Sequence, residues 1–443
     1  MSRSFGWGSI VRLGLVQACL GAVVVMTTST LNRVMVVELA LPALLPGLLV
    51  AMHYLVQVAR PRMGYGSDMG QRRTPWIVGG MAVLALGGAL AAAATAWMGS
   101  DRVAGIVLAV FAFALIGLGV SASGTSLLVL LAARVDAPRR AGAATLVWLM
   151  MIVGFAVTAG VAGRLLDPYS PLRLMAVTSA VSLMALVVTL LATWRLEGAA
   201  DPTAAVAEAP AAKTAFRDAL SQVWAEPVAR RFTIFVFISM LAYSAQDLIL
   251  EPFAGTVFGF TPGESTSLSG VQHGGVLLGM LAAALAGRGR RFGSLRAWQI
   301  GGCLLSALML LGLVAAGFVG PAWPFRATVF ALGVANGAFS IAAIASMMRL
   351  ASEGRHAREG VRMGLWGAAQ AVAFGMGGLV GTAASDLARW LIGTPSLAYA
   401  SVFAFEALLF VAAAVLAARL GGSATTRSQP TRAAGRHAHE VTA

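Results

Sequence analysis

Charged side chains are scarce in this chain. Asp, Glu, Lys and Arg make up 11% of its 443 residues, whereas an average soluble protein carries roughly 25% charged residues. Because 58% of the residues are hydrophobic, a water-soluble globule of this size would lack the polar side chains to cover its surface. The composition excludes an ordinary soluble protein and favours one that is surrounded by lipid.

Cysteine is rare as well, since the chain has only Cys19 and Cys303, both inside apolar runs. No CxxC motif or His/Cys cluster accompanies them, which excludes a disulfide framework and a structural zinc site. The sequence also has no GxxxxGK[ST] phosphate loop, no HExxH motif and no DxxxD pair to hold a diphosphate through magnesium. We therefore expect no metal site, no catalytic residues and no enzymatic activity.

Apolar runs long enough to cross a membrane are abundant. A helix needs about 18 to 25 residues to span a hydrocarbon core roughly 30 Å thick. The first run is followed directly by another and has no small-residue cleavage site, so we expect it to be retained as a helix. We predict twelve membrane spans, at residues 12–31, 39–59, 76–98, 103–131, 141–163, 172–194, 231–250, 266–286, 297–318, 325–348, 363–385 and 395–418.

The predicted spans fall into two groups of six. A stretch rich in Ala, Pro and Glu separates the groups and is too polar to bury a core of its own. We predict an all-α membrane protein built from two pseudo-symmetric six-helix halves. Its divisions are an N-terminal half at 1–194, a cytoplasmic linker at 195–230, a C-terminal half at 231–420 and a disordered tail at 421–443.

Positive charge is divided unevenly between the two sets of alternating loops. Short cytoplasmic loops retain Lys and Arg during membrane insertion. Of the 32 basic residues, one set of loops holds 26 and the other holds 6, namely Arg33, Arg102, Arg164, Arg173, Arg326 and Arg389. This division predicts that both termini are cytoplasmic. It also explains the net charge of +14 without a nucleic-acid partner.

Glycine- and arginine-containing loops follow both span two and span eight, as a parallel repeat of six helices predicts. The first of these loops resembles the signature loop between helices two and three of the major facilitator superfamily. Glycines permit a tight turn there, and Asp68 can pair with arginines or with a helix N-terminus. We interpret this loop as a cytoplasmic latch whose residues are Gly64, Asp68, Gly70, Arg72 and Arg73.

Three other stretches are more distinctive. They are Leu31-Asn-Arg-Val-Met-Val-Val-Glu-Leu, Gln246-Asp-Leu-Ile-Leu-Glu-Pro-Phe-Ala-Gly and Val361-Arg-Met-Gly-Leu-Trp-Gly-Ala-Ala-Gln. With shorter motifs at Thr125, Trp148 and Thr261, they resemble the PucC/LhaA family, the bacteriochlorophyll-delivery branch of the major facilitator superfamily. The resemblance extends from about Gly14 to Ala418. The compact first loop resembles that of the members encoded among bacteriochlorophyll biosynthesis genes more than that of the antenna-specific members, which have a longer insertion.

The resemblance implies a twelve-helix major facilitator fold in the bacterial inner membrane, in its photosynthetic or intracytoplasmic part. It implies bacteriochlorophyll as bound cargo. The implied partners are membrane lipid together with antenna or reaction-centre polypeptides, or pigment-synthesis enzymes. Two alternatives remain, a proton-coupled small-molecule transporter of the same superfamily and an assembly scaffold that binds no pigment.

Two histidines lie within predicted spans at corresponding helices of the two halves, His53 in span two and His273 in span eight. A polar side chain at membrane depth is costly and often functional. A neutral imidazole is a suitable axial ligand for the magnesium of a bacteriochlorophyll, so we name His53, His273 and the adjacent Gln272 as candidate pigment-binding residues. The alternative is that each histidine forms a hydrogen bond within the helix bundle.

Charged and amide side chains cluster where the first helix of each half is expected to end on the periplasmic side. We predict a polar network or gate there, formed by Arg33, Glu38, Gln246, Asp247 and Glu251. In the simpler interpretation, Arg33 neutralises one of these acids across the pseudo-two-fold axis. Pro252 follows closely, so the seventh helix is expected to end nearby and to expose backbone carbonyls.

One further acid, Glu406, lies near the middle of span twelve. A proton-coupled carrier would need such a group, so Glu406 is a candidate proton site. The alternative is a protonated carboxyl group bonded to a neighbouring helix.

Overall fold

The computed structural model describes residues 5–57, 72–197, 221, 224–286, 293–353 and 359–420. Within them are twelve long helices and no strand. The helices are α1 (Trp7–Val25), α2 (Leu44–Val56), α3 (Thr74–Trp97), α4 (Arg102–Arg134), α5 (Ala137–Leu166), α6 (Pro171–Thr193), α7 (Pro227–Phe258), α8 (Pro262–Ala286), α9 (Leu295–Val319), α10 (Phe325–Glu353), α11 (Glu359–Ile392) and α12 (Pro395–Arg419).

Eleven of these helical spans are long and apolar enough to cross a membrane, and the twelfth is the shorter apolar helix α2. The predicted all-α twelve-helix architecture is therefore confirmed. Most of the predicted linker and all of the predicted tail lie outside the described residues.

Each half packs its six helices in the same pattern. In the N-terminal half α1 contacts α5 and α6, while α3 contacts α4 and α6. In the C-terminal half the equivalent helix α7 contacts α11 and α12, while α9 contacts α10 and α12. The halves meet along two seams, α5 against α8 and α2 against α11, which are equivalent under the exchange of the halves. The predicted pseudo-symmetry is thus present in the packing.

The first helix is longer than the sequence predicted. Two π-helical segments, Met26–Leu31 and Val34–Glu38, extend it well past the predicted end at residue 31. Arg33 and Glu38 consequently lie in its last turns and not in a loop. The reason is that Arg33 is buried and bonded by the protein, so a charged residue here does not mark the membrane surface.

The expected end of the seventh helix near Pro252 is also wrong. Helix α7 continues through Pro252 to Phe258 and stops at Gly259, which has a positive φ of 70°. A proline in a helix leaves the carbonyl four residues earlier without its usual donor, and this carbonyl belongs to Leu248. The side-chain amide of Asn32, on α1, donates a hydrogen bond of 2.7 Å to the Leu248 oxygen. The N-terminal half therefore supplies the bond that the proline removes.

The two ends of the bundle differ. Basic loops lie at the end where α1 starts and α6, α8 and α12 finish, which we call the arginine-rich end; the opposite end is the arginine-poor end. At the arginine-rich end, Arg12 binds the Ala192 carbonyl within the first half, and Arg296 binds the Ala418 carbonyl within the second. At the arginine-poor end, several hydrogen bonds instead join one half to the other.

We expect Asn32→Ala to destabilise the protein, because the buried Leu248 carbonyl loses its donor. The expected loss is about 1 to 3 kcal/mol in the free energy of unfolding. In a Pro252→Ala background the new backbone N–H can bind the Leu248 carbonyl, so the loss should shrink there. The free energy of unfolding in detergent is measured for the unchanged protein, the two single variants and the double variant. Equal losses from Asn32→Ala in both backgrounds would contradict this account.

Two adjacent glycines on α9 provide a second test. A Cβ atom on Gly302 would lie 2.8 Å from the Phe339 backbone nitrogen of α10, whereas one on Gly301 would meet no atom within 4 Å. Gly302→Ala should therefore lower the detergent melting temperature by a few degrees, since overpacking costs about 1 to 3 kcal/mol. Gly301→Ala is the matched control and should leave the melting temperature unchanged or slightly raised.

Candidate functional site

A central cavity of about 440 Å³ lies between the two halves. Its wall is formed by α1, α2, α4 and α5 of the first half and by α7, α8, α10 and α11 of the second. The wall is mostly apolar and includes Phe155, Phe374, Met151, Met240 and Met280. A few polar side chains interrupt it, as is usual for sites that take small organic molecules.

Within the described part of the chain, one ring nitrogen of His273 is hydrogen-bonded and the other is not. Its Nδ1 lies 2.8 Å from the backbone oxygen of Ser269, one turn earlier on α8. A carbonyl oxygen can only accept, so Nδ1 carries the proton and the neutral ring has its lone pair on Nε2. The Phe155 ring packs against the imidazole with a centroid separation of 4.9 Å. His273 lines the cavity. Because Nδ1 is bonded to the backbone of its own helix, Nε2 is directed away from that helix.

His53 lines the same cavity from α2 but uses its Nε2 differently. The Gln57 side-chain nitrogen lies 2.8 Å from His53 Nε2, so the lone pair of that atom already has a donor within its own helix. The His53 ring also meets Tyr54 edge-on at 4.8 Å. The structure thus brings both histidines to one cavity: Gln57 bonds to Nε2 of His53, whereas no described residue bonds to Nε2 of His273.

Two acids of α7, Asp247 and Glu251, face the cavity together with Gln272 of α8. The Gln272 side chain lies beside the Asp247 carboxyl group. Glu251 lies beside a pair of hydroxyl groups, Ser29 and Ser269, whose oxygens are 3.0 Å apart across the two halves. These groups form the polar end of the cavity, on the side of the arginine-poor end.

Arg33 joins the halves, but not in the way that the sequence suggested. Its guanidinium group forms an ion pair with Glu38 on its own helix, not with Asp247 or Glu251. It reaches the second half by donating a 2.6 Å hydrogen bond to the backbone oxygen of Phe260. The side chain is 2% exposed, so one cation is enclosed between an acid of one half and a carbonyl of the other.

The remaining two predicted polar residues lie outside the cavity wall. Gln246 is fully buried, and neither end of its amide has a hydrogen-bond partner among the described residues. Glu406 is 1% exposed and is likewise unpaired within the described part of the chain. The Phe339 and Phe410 rings are 5.6 Å apart, which places Asn336 and Glu406, each about one turn earlier, at a similar depth.

The predicted cytoplasmic latch lies only partly within the described residues. Gly64, Asp68 and Gly70 fall outside them, while Arg72 is exposed and Arg73 precedes α3. The backbone N–H groups of Arg73 and Thr74 donate to the Glu197 carboxylate, each at 2.8 Å. Glu197 therefore binds the N-terminus of α3, where a negative charge is favourable.

Several inter-half contacts escaped the sequence analysis. An aromatic series runs across the cavity wall, since Tyr54 stacks on Phe374 at 5.8 Å and Phe374 meets Tyr243 at 5.9 Å. Two acids, Asp167 and Asp386, bind backbone N–H groups of the opposite half. The sequence did contain one signal for these two acids. They occupy equivalent positions in the two halves, just beyond the predicted ends of span five and span eleven.

Solved structures with the same fold are membrane transporters. The nucleoside transporter NupG has a TM-score of 0.65 at 15% identity, covering 93% of this chain and 98% of that one. A D-xylose-proton symporter has a TM-score of 0.66 at 15% identity, covering 91% and 97%. At these identities the similarity establishes the major facilitator fold and nothing about the cargo.

Sequence relatives are much closer. The "Bacteriochlorophyll synthase 44.5 kDa chain" of Rhodobacter capsulatus is 53% identical over 432 residues, covering 98% of this chain and all of that protein. "Protein PucC" of the same species is 30% identical over 433 residues, covering 93% and 92%. A family model described as PUCC protein matches residues 30–425. The chain therefore belongs to the PucC protein family, with the fold of the major facilitator superfamily.

Proposed function

We propose that this protein holds bacteriochlorophyll in its central cavity and delivers it during the assembly of photosynthetic complexes in the inner membrane. The observation that carries the proposal is His273, whose ring is fixed by Ser269 and Phe155 beside an apolar cavity. The name of the relative from Rhodobacter capsulatus links that protein to bacteriochlorophyll. The receiving partners are antenna or reaction-centre polypeptides, or pigment-synthesis enzymes acting before them.

The chemistry of His273 suits a magnesium-containing pigment. The magnesium of a bacteriochlorophyll is held by the ring nitrogens and accepts an additional axial donor. A neutral imidazole nitrogen supplies that donor without adding a charge to an apolar site. The Nδ1 hydrogen bond to Ser269 fixes the tautomer and the ring orientation, as the outer partners of metal-bound histidines commonly do.

The surrounding wall suits a flat, apolar ring system. Phe155, Tyr54 and Phe374 supply aromatic faces, and flat rings pack well against such faces. Met151, Met240 and Met280 lie on the same wall, and methionine side chains adapt to irregular ligands. The Gln272 side-chain nitrogen lines the cavity without a hydrogen-bond partner among the described residues, so it can donate to an oxygen substituent at the edge of a pigment. These groups bind and orient, so we propose a carrier and not a catalyst.

We further propose that the arginine-rich end faces the cytoplasm. The division of the basic residues, with 26 in one set of alternating loops of the sequence and 6 in the other, follows the charge bias of inserted membrane proteins. With an even number of helices, this orientation places both termini in the cytoplasm. The cargo would then reach the cavity from the cytoplasmic side.

A second candidate is a proton-coupled small-molecule transporter. The observation that favours it is a set of three acids on helices of the second half: Asp247 and Glu251 in the cavity wall, and the buried Glu406. In that case Glu406 or Glu251 would exchange protons during transport, and Arg33 would serve as part of a gate. Proton-coupled uptake by a pigment-free protein would support this candidate, and a pigment-free protein that still captured antenna subunits would support a scaffold.

We expect the protein purified in mild detergent to carry bacteriochlorophyll, visible in its absorption spectrum. His273→Gly should lose most of this pigment, because the axial donor is absent. Adding imidazole should restore binding to the glycine variant, since the free ring fits the space that the side chain has left. A fully loaded His273→Gly protein without imidazole would contradict the role of His273.

The two histidines should differ in the same measurement. His53→Ala is expected to retain more pigment than His273→Ala, because Gln57 already occupies Nε2 of His53. Pigment content per protein, measured after identical washing, compares the two variants. A greater loss in His53→Ala would indicate that the first half provides the ligand.

Orientation can be checked independently of the pigment. Reporter domains fused before Trp7 and after Arg419 should both be active in the cytoplasm, and a reporter in the loop at Ser100 should be active in the periplasm. Termini on opposite sides would exclude the orientation proposed here.

A further inference from the structure

The seam between α5 and α8 is closed at the arginine-poor end by a carboxylate. Asp167, just past the end of α5, accepts a 2.8 Å hydrogen bond from the Thr261 hydroxyl group and a 3.3 Å hydrogen bond from the Gly263 backbone N–H. Thr261 and Glu264 form reciprocal bonds that cap the start of α8. Asp167 of the first half is therefore bound to the N-terminus of a helix of the second half.

The other seam, between α2 and α11, is closed in the same way with the halves exchanged. Asp386, near the end of α11, accepts hydrogen bonds from the backbone N–H groups of Ala43 at 3.0 Å and Leu44 at 2.7 Å. These N–H groups are at the start of α2. Here an acid of the second half is bound to the N-terminus of a helix of the first half.

The two contacts agree residue by residue. Gly163 lies four residues before Asp167 and is in close contact with Ser267; Thr382 lies four residues before Asp386 and is in close contact with Gly47. Ser267 lies four residues after Gly263, as Gly47 lies four residues after Ala43. The two seams therefore have the same helix register, which chance contacts between unrelated loops would not produce.

Each contact joins a negative side chain to the unpaired N–H groups and the positive dipole end of a helix. Both cross from one half to the other, and both lie at the arginine-poor end of the cavity. Opening that end requires the halves to move apart along both seams. A rigid-body separation must therefore break the two contacts together.

We propose that Asp167 and Asp386 form a symmetric pair of locks that keep the arginine-poor end of the cavity closed, and that both must release before the cavity opens there. The locks act on one equilibrium between a closed and an open arrangement of the halves. Their free energies therefore add, and their effects on the open population multiply. The proposal concerns access to the cavity and does not depend on the identity of the cargo.

The test measures the accessibility of a cysteine in the cavity. Thr28 lines the cavity near its polar end, so Thr28→Cys is introduced after Cys19 and Cys303 have been replaced by alanine. Sealed membrane vesicles are exposed to a membrane-impermeant maleimide on one face. A Ser100→Cys protein identifies the vesicles whose arginine-poor end faces outward, because Ser100 is exposed in the loop between α3 and α4.

We expect slow labelling of Thr28→Cys from the arginine-poor end when both locks are intact. Asp167→Asn and Asp386→Asn should each raise the labelling rate about tenfold, since each weakens hydrogen bonds to a charged acceptor. The double variant should show roughly the product of the two increases, about a hundredfold. Labelling from the arginine-rich end should not rise in parallel.

Asp101→Asn is the matched control. Asp101 lies at the same end and binds the Ala104 backbone N–H at the start of α4, within one half. Its replacement should leave the labelling rate at the starting value. Labelling of the double variant at the rate of this control would overturn the proposal. A single variant that already reaches the rate of the double variant would overturn the requirement for both locks.

Longer acids provide a second series in case the asparagine variants do not insert stably. Asp167→Glu and Asp386→Glu retain the charge, but the added methylene group displaces the carboxylate from its N–H partners. Thr28→Cys should be labelled faster in their double variant than in the protein with both aspartates intact. A rate equal to that of the unchanged protein would count against the locks.

Discussion

A hydrocarbon core contains no water to bind a polar group, so every polar group at membrane depth needs a partner within the protein or a face on a cavity. This constraint explains the contacts on which the two halves depend. Pro252 frees the Leu248 carbonyl, and Asn32 binds it from the other half. Arg33 is enclosed by Glu38 and by the Phe260 carbonyl. These buried polar groups of the first half are therefore also a reason for the second half to stay close.

The same constraint separates structural polar groups from functional ones. Thr30 and Thr266, which do not line the cavity, satisfy each other across the halves at 3.0 Å. Asp247 and Glu251 line the cavity instead, where a ligand or an exchanged proton can reach them. An ionisable side chain at membrane depth is costly, and one that faces a cavity commonly marks a substrate or proton pathway. The polar end of the cavity is thus where binding is most clearly expected.

Much of the fold was predictable because hydropathy and charge are local signals. The lengths of the apolar runs predicted the twelve helices, and the polar stretch after residue 194 predicted their division into two sets of six. The helix ends at Arg33 and Pro252 were predicted wrongly, since a charge and a proline normally mark a boundary. Both are tolerated here because distant residues complete the bonding: the Phe260 carbonyl accepts from Arg33, and Asn32 donates to the Leu248 carbonyl that Pro252 leaves without a donor. Asp167 and Asp386 were missed for the same reason, as their partners lie in the opposite half and no local pattern reveals them.

The difference between the two histidines follows from how the two halves have diverged. His53 lies ten residues after Ala43 and His273 ten residues after Gly263, so the two rings occupy equivalent places. One turn later the first half has Gln57, which binds His53 Nε2, while the second half has Leu277.

Without an amide at position 277 to bind Nε2, the His273 ring directs Nδ1 to its own helix backbone and leaves Nε2 available to the cavity. A symmetric fold has thereby produced a one-sided site: Nε2 of the histidine is bonded within its helix in one half and available to a ligand in the other.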